Sequence, residues 1–214
     1  TTGPTREYID PVRYISNESS GKQGYEIAIA LNKLGIKTTL IAGPSSLIFP
    51  KGLKVKKITS ADEMLNEVKK SLPVDLAVCA AAVTDFKPVE KNKNKIKKEN
   101  MKLNQINLIK NNDILEYISK NNKHRPRLVA GFSAETENLI KNSISKMKKK
   151  HCDIIFANDV SKQDTGFNTD YNKVSVIDKK GDVKIIPKNK KSFIANKIAE
   201  ILLDKLLIDD RNIN

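Results

Sequence analysis

The chain of 214 residues is 39% hydrophobic and carries 39 Lys and Arg against 25 Asp and Glu, a net charge of +14. It is long enough to bury a core in one large domain or two small ones, and no apolar run approaches the roughly 18 residues of a membrane-spanning helix. The positive balance points to polyanionic partners, yet only five of the basic residues are arginine (Arg6, Arg13, Arg125, Arg127, Arg211) and tryptophan is absent. Bidentate base contacts and base stacking lean on arginine and aromatics. The expectation is therefore no nucleic acid and no membrane, with phosphorylated small molecules as partners that suit the charge equally well. Cys79 and Cys152 lie in apolar surroundings without CxxC or CxxH spacing, as expected of reduced thiols in a cytoplasmic protein. His124 and His151 are isolated, which argues against a metal site of His and Cys ligands.

Residues 1–10 have no basic-then-apolar signal pattern. They read as the stub of a strand and turn, so the chain is expected to be part of something longer. Residues 10–24, DPVRYISNESSGKQG, pack an arginine, an asparagine, three serines and two glycines into one turn-rich stretch. An amphipathic helix follows at 25–34, then a strand at 37–42. A polar, glycine-bearing loop feeding a helix aims backbone N–H groups and a helix N-terminus at one spot, and so suits an anion. We expect it to form the floor of an active site.

Residues 53–58 alternate as a short strand. Ser60 opens a helix that runs to about residue 72, with Glu63 in the capping-box position and Met64, Leu65 and Val68 on one face. Residues 75–83 (DLAVCAAAV) form a continuous apolar run, the pattern of a buried parallel strand. Residues 86–102 are dense in lysine and asparagine and nearly without core residues. Such a stretch cannot offset its ordering entropy alone and is expected to be mobile until something anionic orders it.

Beyond it, 103–109 alternate as a strand and 111–113 open a helix to about 119. Residues 128–132 and 153–157 are buried strands that flank a helix at about 137–149. Strands at 173–178 and 182–186 form a hairpin about Lys179-Lys180-Gly181. A helix at 192–207 closes the chain. The alternation implies one α/β domain over 1–214. It is Rossmann-like and doubly wound, with a mainly parallel sheet and an added C-terminal antiparallel hairpin.

Polar residues sit at strand C-terminal ends: Asp85, residues 132–136, and Asn158-Asp159. That edge is where open α/β sheets bind ligands. The opening stretch is a poor dinucleotide fingerprint. Gly21 and Gly24 supply only a GxxG half, no strand directly precedes them, and the strand at 37–42 ends without an acidic residue. No Walker A loop or nucleophile elbow is present. On the residues alone, a basic α/β nucleic-acid-binding module and an NAD(P)-binding oxidoreductase domain stay open beside a nucleotide-dependent enzyme.

Several segments occur in order along nearly the whole chain: Gly3-Pro4-Thr5-Arg6, DPVRYISNESSGKQG, AAAVTDF at 80–86, KIKK at 95–98, NNDIL at 111–115, GFSAET at 131–136 and ANDV at 157–160. This set resembles phosphopantothenoylcysteine synthetase, in many bacteria the C-terminal half of a bifunctional coenzyme A biosynthesis protein. The resemblance implies a ligase that joins 4′-phosphopantothenate to L-cysteine with CTP and Mg²⁺ (or Mn²⁺), through an acyl-cytidylate. It further implies a homodimer, a fused upstream decarboxylase half, and no flavin in this part of the chain. One departure is that the strand expected before Gly3 is largely absent.

By the same resemblance, Asn17 acts on the acyl-nucleotide, and Arg13 reaches phosphopantothenate from the partner subunit. Ala81 and Ala82 contact that substrate. The nucleotide falls to Cys79, Ala80, Ala81, Asp85, Lys95, Asn111, Asn112, Asp113, Ile114, Phe132, Lys146 and Lys150, with Lys95 catalytic in a flap that closes over the triphosphate. From the loop's own chemistry, Ser19, Ser20, Gly21 and Gly24 are expected to face nucleotide phosphates. The metal ligands stay unassigned.

Overall fold

The structure, a computed structural model, describes residues 1–97, 105–161, 166 and 169–211, with side chains to residue 208. Its centre follows from the buried aliphatic runs. Strand β9 (Ile154–Asp159) carries Ile154, Ile155, Phe156 and Ala157 without exposed surface. Successive side chains on a strand point to opposite faces. Ile154 and Phe156 accordingly join one core cluster, and Ile155 and Ala157 the other. Strands β5 (Leu76–Cys79) and β8 (Leu128–Glu135) run parallel to β9. Strands β10 (Tyr171–Asp178) and β11 (Val183–Lys190) add the antiparallel hairpin, giving the order β11-β10-β9-β8-β5.

On the first face lie α1 (Lys22–Lys33) and α5 (Lys191–Arg211), which bring Ile27, Leu31, Ile194, Ile198 and Leu202 onto the sheet. The second face is covered by α2 (Ala61–Ser71), α3 (Ile114–Ser119) and α4 (Leu139–Lys150), with Met64, Val68, Ile118 and Met147 inward. Helix α2 starts as its sequence requires. Ser60 Oγ accepts the Glu63 N–H at 3.2 Å, and the Glu63 carboxylate accepts the Thr59 N–H at 2.8 Å.

The sheet continues past β5 through residues 1–5, too short for a pattern of their own. The Thr2 N–H donates to Ile41 O and Gly43 N–H donates to Thr2 O, both at 2.9 Å. On the other side, Ala80 N–H donates to Thr1 O at 3.3 Å and Ala82 N–H to Gly3 O at 3.0 Å. Residues 1–5 therefore hold the strand position between β3 (Thr39–Ala42) and β5, and β4 (Lys54–Lys57) pairs parallel beyond β3. In chain order this is the doubly wound 3-2-1-4-5-6 arrangement, with its switch point between residues 1–5 and β5. The first strand, taken from the sequence as largely absent, is present in shortened form. Strand β5 stops at Cys79 because 80–82 turn to residues 1–5 for partners.

Two antiparallel ribbons depart from the sequence expectation. Strands β1 (Arg6–Tyr8) and β2 (Tyr14–Ser16) form a hairpin inside what reads as a loop. Strand β6 (Phe86–Pro88), at the head of the lysine-rich stretch, pairs with β7 (Leu108–Lys110). That stretch is expected to be unanchored, but its described part is tied down. The Asn92 N–H donates to Ile9 O at 2.9 Å, and the Ile96 peptide is bonded to Asp10 and Arg13. Backbone hydrogen bonds to the β1–β2 hairpin supply what the missing apolar surface does not. Residues 98–104, which include the rest of that stretch and the start of the strand expected at 103–109, lie outside the described residues.

Close backbone approach holds residues 1–5 in place. A β-carbon on Gly43 would overlap the Pro4 carbonyl oxygen. Gly43→Ala is expected to lower stability by about 3 kcal/mol or more, since neither group is a flexible side-chain end. An unchanged urea-unfolding midpoint would show that this packing is not needed.

Candidate functional site

A cleft of about 610 Å³ opens at the C-terminal ends of β5 and β8, within the size range of small-molecule sites. The turn after β5 gives Ala81, Val83, Thr84 and Asp85, and β5 itself ends on Cys79. The entrance of α3 gives Asn111 to Ile114, β8 gives Phe132, and α4 gives Lys146, Lys149 and Lys150. Cys79, Ala81, Asp85, Asn111, Asn112, Asp113, Ile114, Phe132, Lys146 and Lys150 thus meet around one space.

The walls are set by local physics. Burial pushes the Cys79 thiol up to about 11, so at neutral pH it is an uncharged, compact wall. Phe132 packs on Phe156 with ring centroids 5.3 Å apart, which fixes one side of its ring in the core. Asn111 ties two walls together: its N–H donates to Asp85 O and its Nδ2 to Thr84 O, each at 2.8 Å.

The cations of the cleft are partly balanced. Lys150 Nζ lies 2.8 Å from Asp113 Oδ2 and 3.0 Å from Glu116 Oε2, and Lys120 Nζ lies 2.6 Å from Glu116 Oε1. Burial alone would lower the Lys150 ammonium, but the bonds to Asp113 and Glu116 more than offset it and raise it. The bond from Lys120, then the one from Lys150, holds the Glu116 carboxyl down at about 2. Asp113 also accepts the Glu116 N–H at 2.7 Å as the cap of α3. Glu116 was not among the expected site residues. Its signal was the Asp113-x-x-Glu116 capping pattern, which reads as helix punctuation rather than as a site.

Asn17, Arg13, Lys95 and Ala82 do not line the cleft: Ala82 lies in the turn after β5, Asn17 bonds to that turn, and Arg13 and Lys95 lie about the β1–β2 hairpin. Asn17 Nδ2 donates to Val83 O at 3.0 Å and to Ala82 O at 3.4 Å, so two expected substrate residues touch. Arg13 Nη2 donates to Ile96 O at 2.9 Å, which brings Arg13 next to the exposed Lys95.

Ser19, Ser20, Gly21 and Gly24 are not in the cleft wall. The Ser19 and Ser20 hydroxyls accept the N–H groups of Gly21 (3.2 Å) and Lys22 (3.4 Å). An anion would reach those N–H groups only by exchanging these bonds. The glycines have a packing reason instead. A β-carbon on Gly24 would lie 2.6 Å from Thr2 Oγ1 and 3.1 Å from the Ala80 β-carbon, and one on Gly21 would lie 2.9 Å from Gly3. They let α1 approach residues 1–5, and Ala80 belongs to that packing rather than to the cleft wall. The corner is nonetheless basic. Lys22 pairs with Asp170 at 2.6 Å, and the buried Lys191 donates to Gly166 O at 2.8 Å. Burial, then the charge of Lys22, pulls the Lys191 ammonium down to about 8.

Among the described residues no group of three or more His, Cys, Asp or Glu could hold a metal ion. Nor is any helix among them long and apolar enough to cross a membrane. Exposed Asp85 lies at the cleft, whereas Asp113 and Glu116 are engaged by Lys150. This donor set fits Mg²⁺, which commonly takes one or two carboxylates and completes its shell with phosphates and water.

The fold and cleft define a doubly wound α/β protein whose ligand site opens at the C-terminal edge of its parallel strands. Residues 1–206 match the family described as the DNA/pantothenate metabolism flavoprotein C-terminal domain. The chain is 42% identical over 203 residues to the coenzyme A biosynthesis bifunctional protein CoaBC of Haemophilus influenzae, covering 94% of this chain and 50% of that protein. It is 38% identical over 217 residues to CoaBC of Escherichia coli, covering 99% and 52%. The crystal structure of the C-terminal domain of CoaBC matches with a TM-score of 0.80 at 32% identity, covering 97% of this chain and 93% of that one. A Streptococcus pneumoniae structure described as the DNA/pantothenate metabolism flavoprotein shares the fold, with a TM-score of 0.76 at 23% identity and coverage of 97% and 96%. The chain belongs to the DNA/pantothenate metabolism flavoprotein C-terminal domain family and corresponds to the C-terminal domain of CoaBC. It spans about half the length of the curated relatives it matches.

The Glu116 cluster has a pH signature. A carboxyl lowered from an ordinary 4.5 to about 2 contributes stability that is complete above pH 4.5 and fades as pH falls through 2. The stability difference between wild type and Glu116→Gln should be largest near pH 6 and shrink steadily toward pH 2. A difference unchanged between pH 6 and pH 3 would contradict the pairing with Lys120 and Lys150.

Proposed function

We propose that this chain is a phosphopantothenate–cysteine ligase, the synthetase half of a coenzyme A biosynthesis protein, using CTP. The observation that carries the reading is the cleft at the C-terminal ends of β5 and β8 in a chain of this family: it gathers ten of the residues expected to meet the nucleotide. In the first step, a carboxylate oxygen of 4′-phosphopantothenate attacks the α-phosphorus of CTP. The bond from that phosphorus to the bridging oxygen breaks, and pyrophosphate leaves. In the second, the amine of L-cysteine attacks the acyl carbon, the amide forms, CMP leaves, and the amine gives up a proton.

The cytidine lies between the wall of Cys79 and Ala81, the α3 entrance and Phe132. Small side chains at Ala81 and Ala82 let the ligands approach the backbone. Lys146 and Lys150 supply cationic charge near the ribose and phosphates, with Lys150 tempered by its two carboxylates. Lys95 neutralises the triphosphate from the lysine-rich flap. Asp85 would hold Mg²⁺ (or Mn²⁺), which when bound with the triphosphate screens charge on the phosphate oxygens. Arg13 takes the phosphate of phosphopantothenate bound to the partner subunit of a homodimer. The exposed apolar residues Val12, Phe86, Val89, Leu108 and Ile109 along the two ribbons offer the surface for that second copy. A flavin would belong to the upstream decarboxylase half, not to this domain.

Asn17 donates one amide N–H to the oxyanion that develops as cysteine attacks. The longer of its two bonds, to Ala82 O, is the one exchanged for the substrate. Such a donor is worth on the order of 3 kcal/mol. An amide suits the position because it donates without competing as a nucleophile.

The test is pyrophosphate release from phosphopantothenate, cysteine, Mg²⁺ and each nucleoside triphosphate. Release with CTP, dependent on phosphopantothenate, is expected; no release with any nucleotide would overturn the ligase reading. Salt-sensitive DNA binding or quenching of NADPH fluorescence would favour the two other classes. Asn17→Asp is expected to form the acyl-nucleotide yet pass it to cysteine on the order of 100-fold or more slowly. Wild-type turnover in that variant would remove Asn17 from the second step.

A further inference from the structure

Asp10 is fully buried in the turn of the β1–β2 hairpin, directly before the exposed Pro11 and Val12. Its Oδ1 accepts the N–H groups of Val12 and Arg13, both at 2.8 Å. Those two bonds are all that an aspartate needs to shape a turn. Its Oδ2 does something else. It accepts the N–H of Ile96, 86 residues away, at 3.3 Å, and lies 3.7 Å from Arg13 Nε. Arg13 Nη2 then takes the carbonyl of the same Ile96 at 2.9 Å. The N–H and the C=O of one residue, and so the peptide units on both sides of the Ile96 α-carbon, are thus both held, one by a carboxylate and the other by the guanidinium that the carboxylate orients.

Ile96 directly follows Lys95 and is half-buried, whereas Lys91, Lys93, Lys95 and Lys97 are all exposed. A second stitch, from Asn92 N–H to Ile9 O at 2.9 Å, fixes the other end of the segment. Burial opposes charge on Asp10, but the N–H bonds and Arg13 more than offset it and hold its carboxyl below the usual range. The group is therefore an anion throughout the neutral range, and it orders the middle of a lysine-rich segment that has almost no apolar anchor.

We propose that Asp10 is a positioning residue for Lys95: with Arg13 it clasps the Ile96 peptide and so sets where the Lys95 ammonium can reach. This rests on the reading of Lys95 as the cation that meets the triphosphate. Being one residue from the clasp, Lys95 keeps a mobile side chain on a fixed backbone, which suits a group that must find a charged ligand without losing its place.

The test is a double-mutant cycle with Asp10→Asn and Lys95→Gln, read as pyrophosphate release, together with limited trypsin cleavage after Lys95. Asn at position 10 keeps the turn's acceptor and replaces Oδ2 by an amide that cannot accept the Ile96 N–H. Asp10→Asn should lower kcat between about 10- and 100-fold and keep the wild-type unfolding midpoint within a few degrees. It should cause no further loss in the Lys95→Gln background, because residues acting as one unit are non-additive. It should also speed cleavage after Lys95 by about 10-fold or more, through local release of the segment. Wild-type kcat in Asp10→Asn, or the same fold-loss in both backgrounds, would overturn the positioning role. If wild type releases no pyrophosphate, the ligase reading fails and the trypsin arm decides the clasp. Faster cleavage in Asp10→Asn then upholds it, and an unchanged rate overturns it.

Discussion

Residues 1–5 are the piece on which the rest of the molecule depends. They bond to β3 on one side and to the turn after β5 on the other, so among the described residues they are the strand that joins the two halves of the sheet. Each such hydrogen bond adds roughly 1 kcal/mol net, but a buried group left without its partner costs more. Thr2, Gly3 and Thr5 are all buried. The glycines around them share this purpose. Gly43 passes against Pro4, while Gly21 and Gly24 allow α1 to lie on Thr2 and Gly3. The same contacts also hold the turn after β5, which forms one wall of the cleft.

The cleft is organised by a second principle, the moderation of charge. A net charge of +14 suggests indiscriminate attraction of anions. The structure instead pairs many lysines with specific partners: Lys22 with Asp170, Lys87 with Asp62, Lys205 with Asp178, and Lys150 with both Asp113 and Glu116. In the cleft this tethers one lysine to the entrance of α3 and leaves Lys146 and Lys149 to face the space beside it. A site of this kind favours a compact polyanion held in one pose. That supports a nucleoside triphosphate more than an extended nucleic acid, for which many evenly spread phosphate contacts would be needed.

Much of the fold was legible. The buried runs at 128–132 and 153–157 have no other good solution than central strands, and the Ser60–Glu63 cap and the hairpin about Gly181 carry local signals. Residues 1–5 were not legible, since a strand containing Gly3 and Pro4 owes its form to partners on both sides rather than to propensity. The β1–β2 hairpin hid for a similar reason: serines, asparagine and glycines of the 10–24 stretch drown three-residue strands. For the site, ten of the residues that the resemblance assigns to the nucleotide line one cleft, and no local pattern would have joined them, because they come from four segments. The resemblance could not place Glu116 and Asp10, whose contacts are with other side chains and backbone. Gly21 and Gly24 carry a packing constraint against Thr2 and Gly3 that a sequence pattern does not distinguish from that of a phosphate loop.

We propose that one cleft at the C-terminal ends of β5 and β8 receives a cytidine nucleotide, with its phosphates led toward Lys95. A crystal structure of the chain with CTP tests this most directly. The cytidine should lie between the wall of Cys79 and Ala81 and the entrance at Asn111–Ile114, against Phe132, with the triphosphate extending to Lys95 and a metal ion at Asp85. Nucleotide bound anywhere else on the chain, with this cleft holding only solvent, would contradict it.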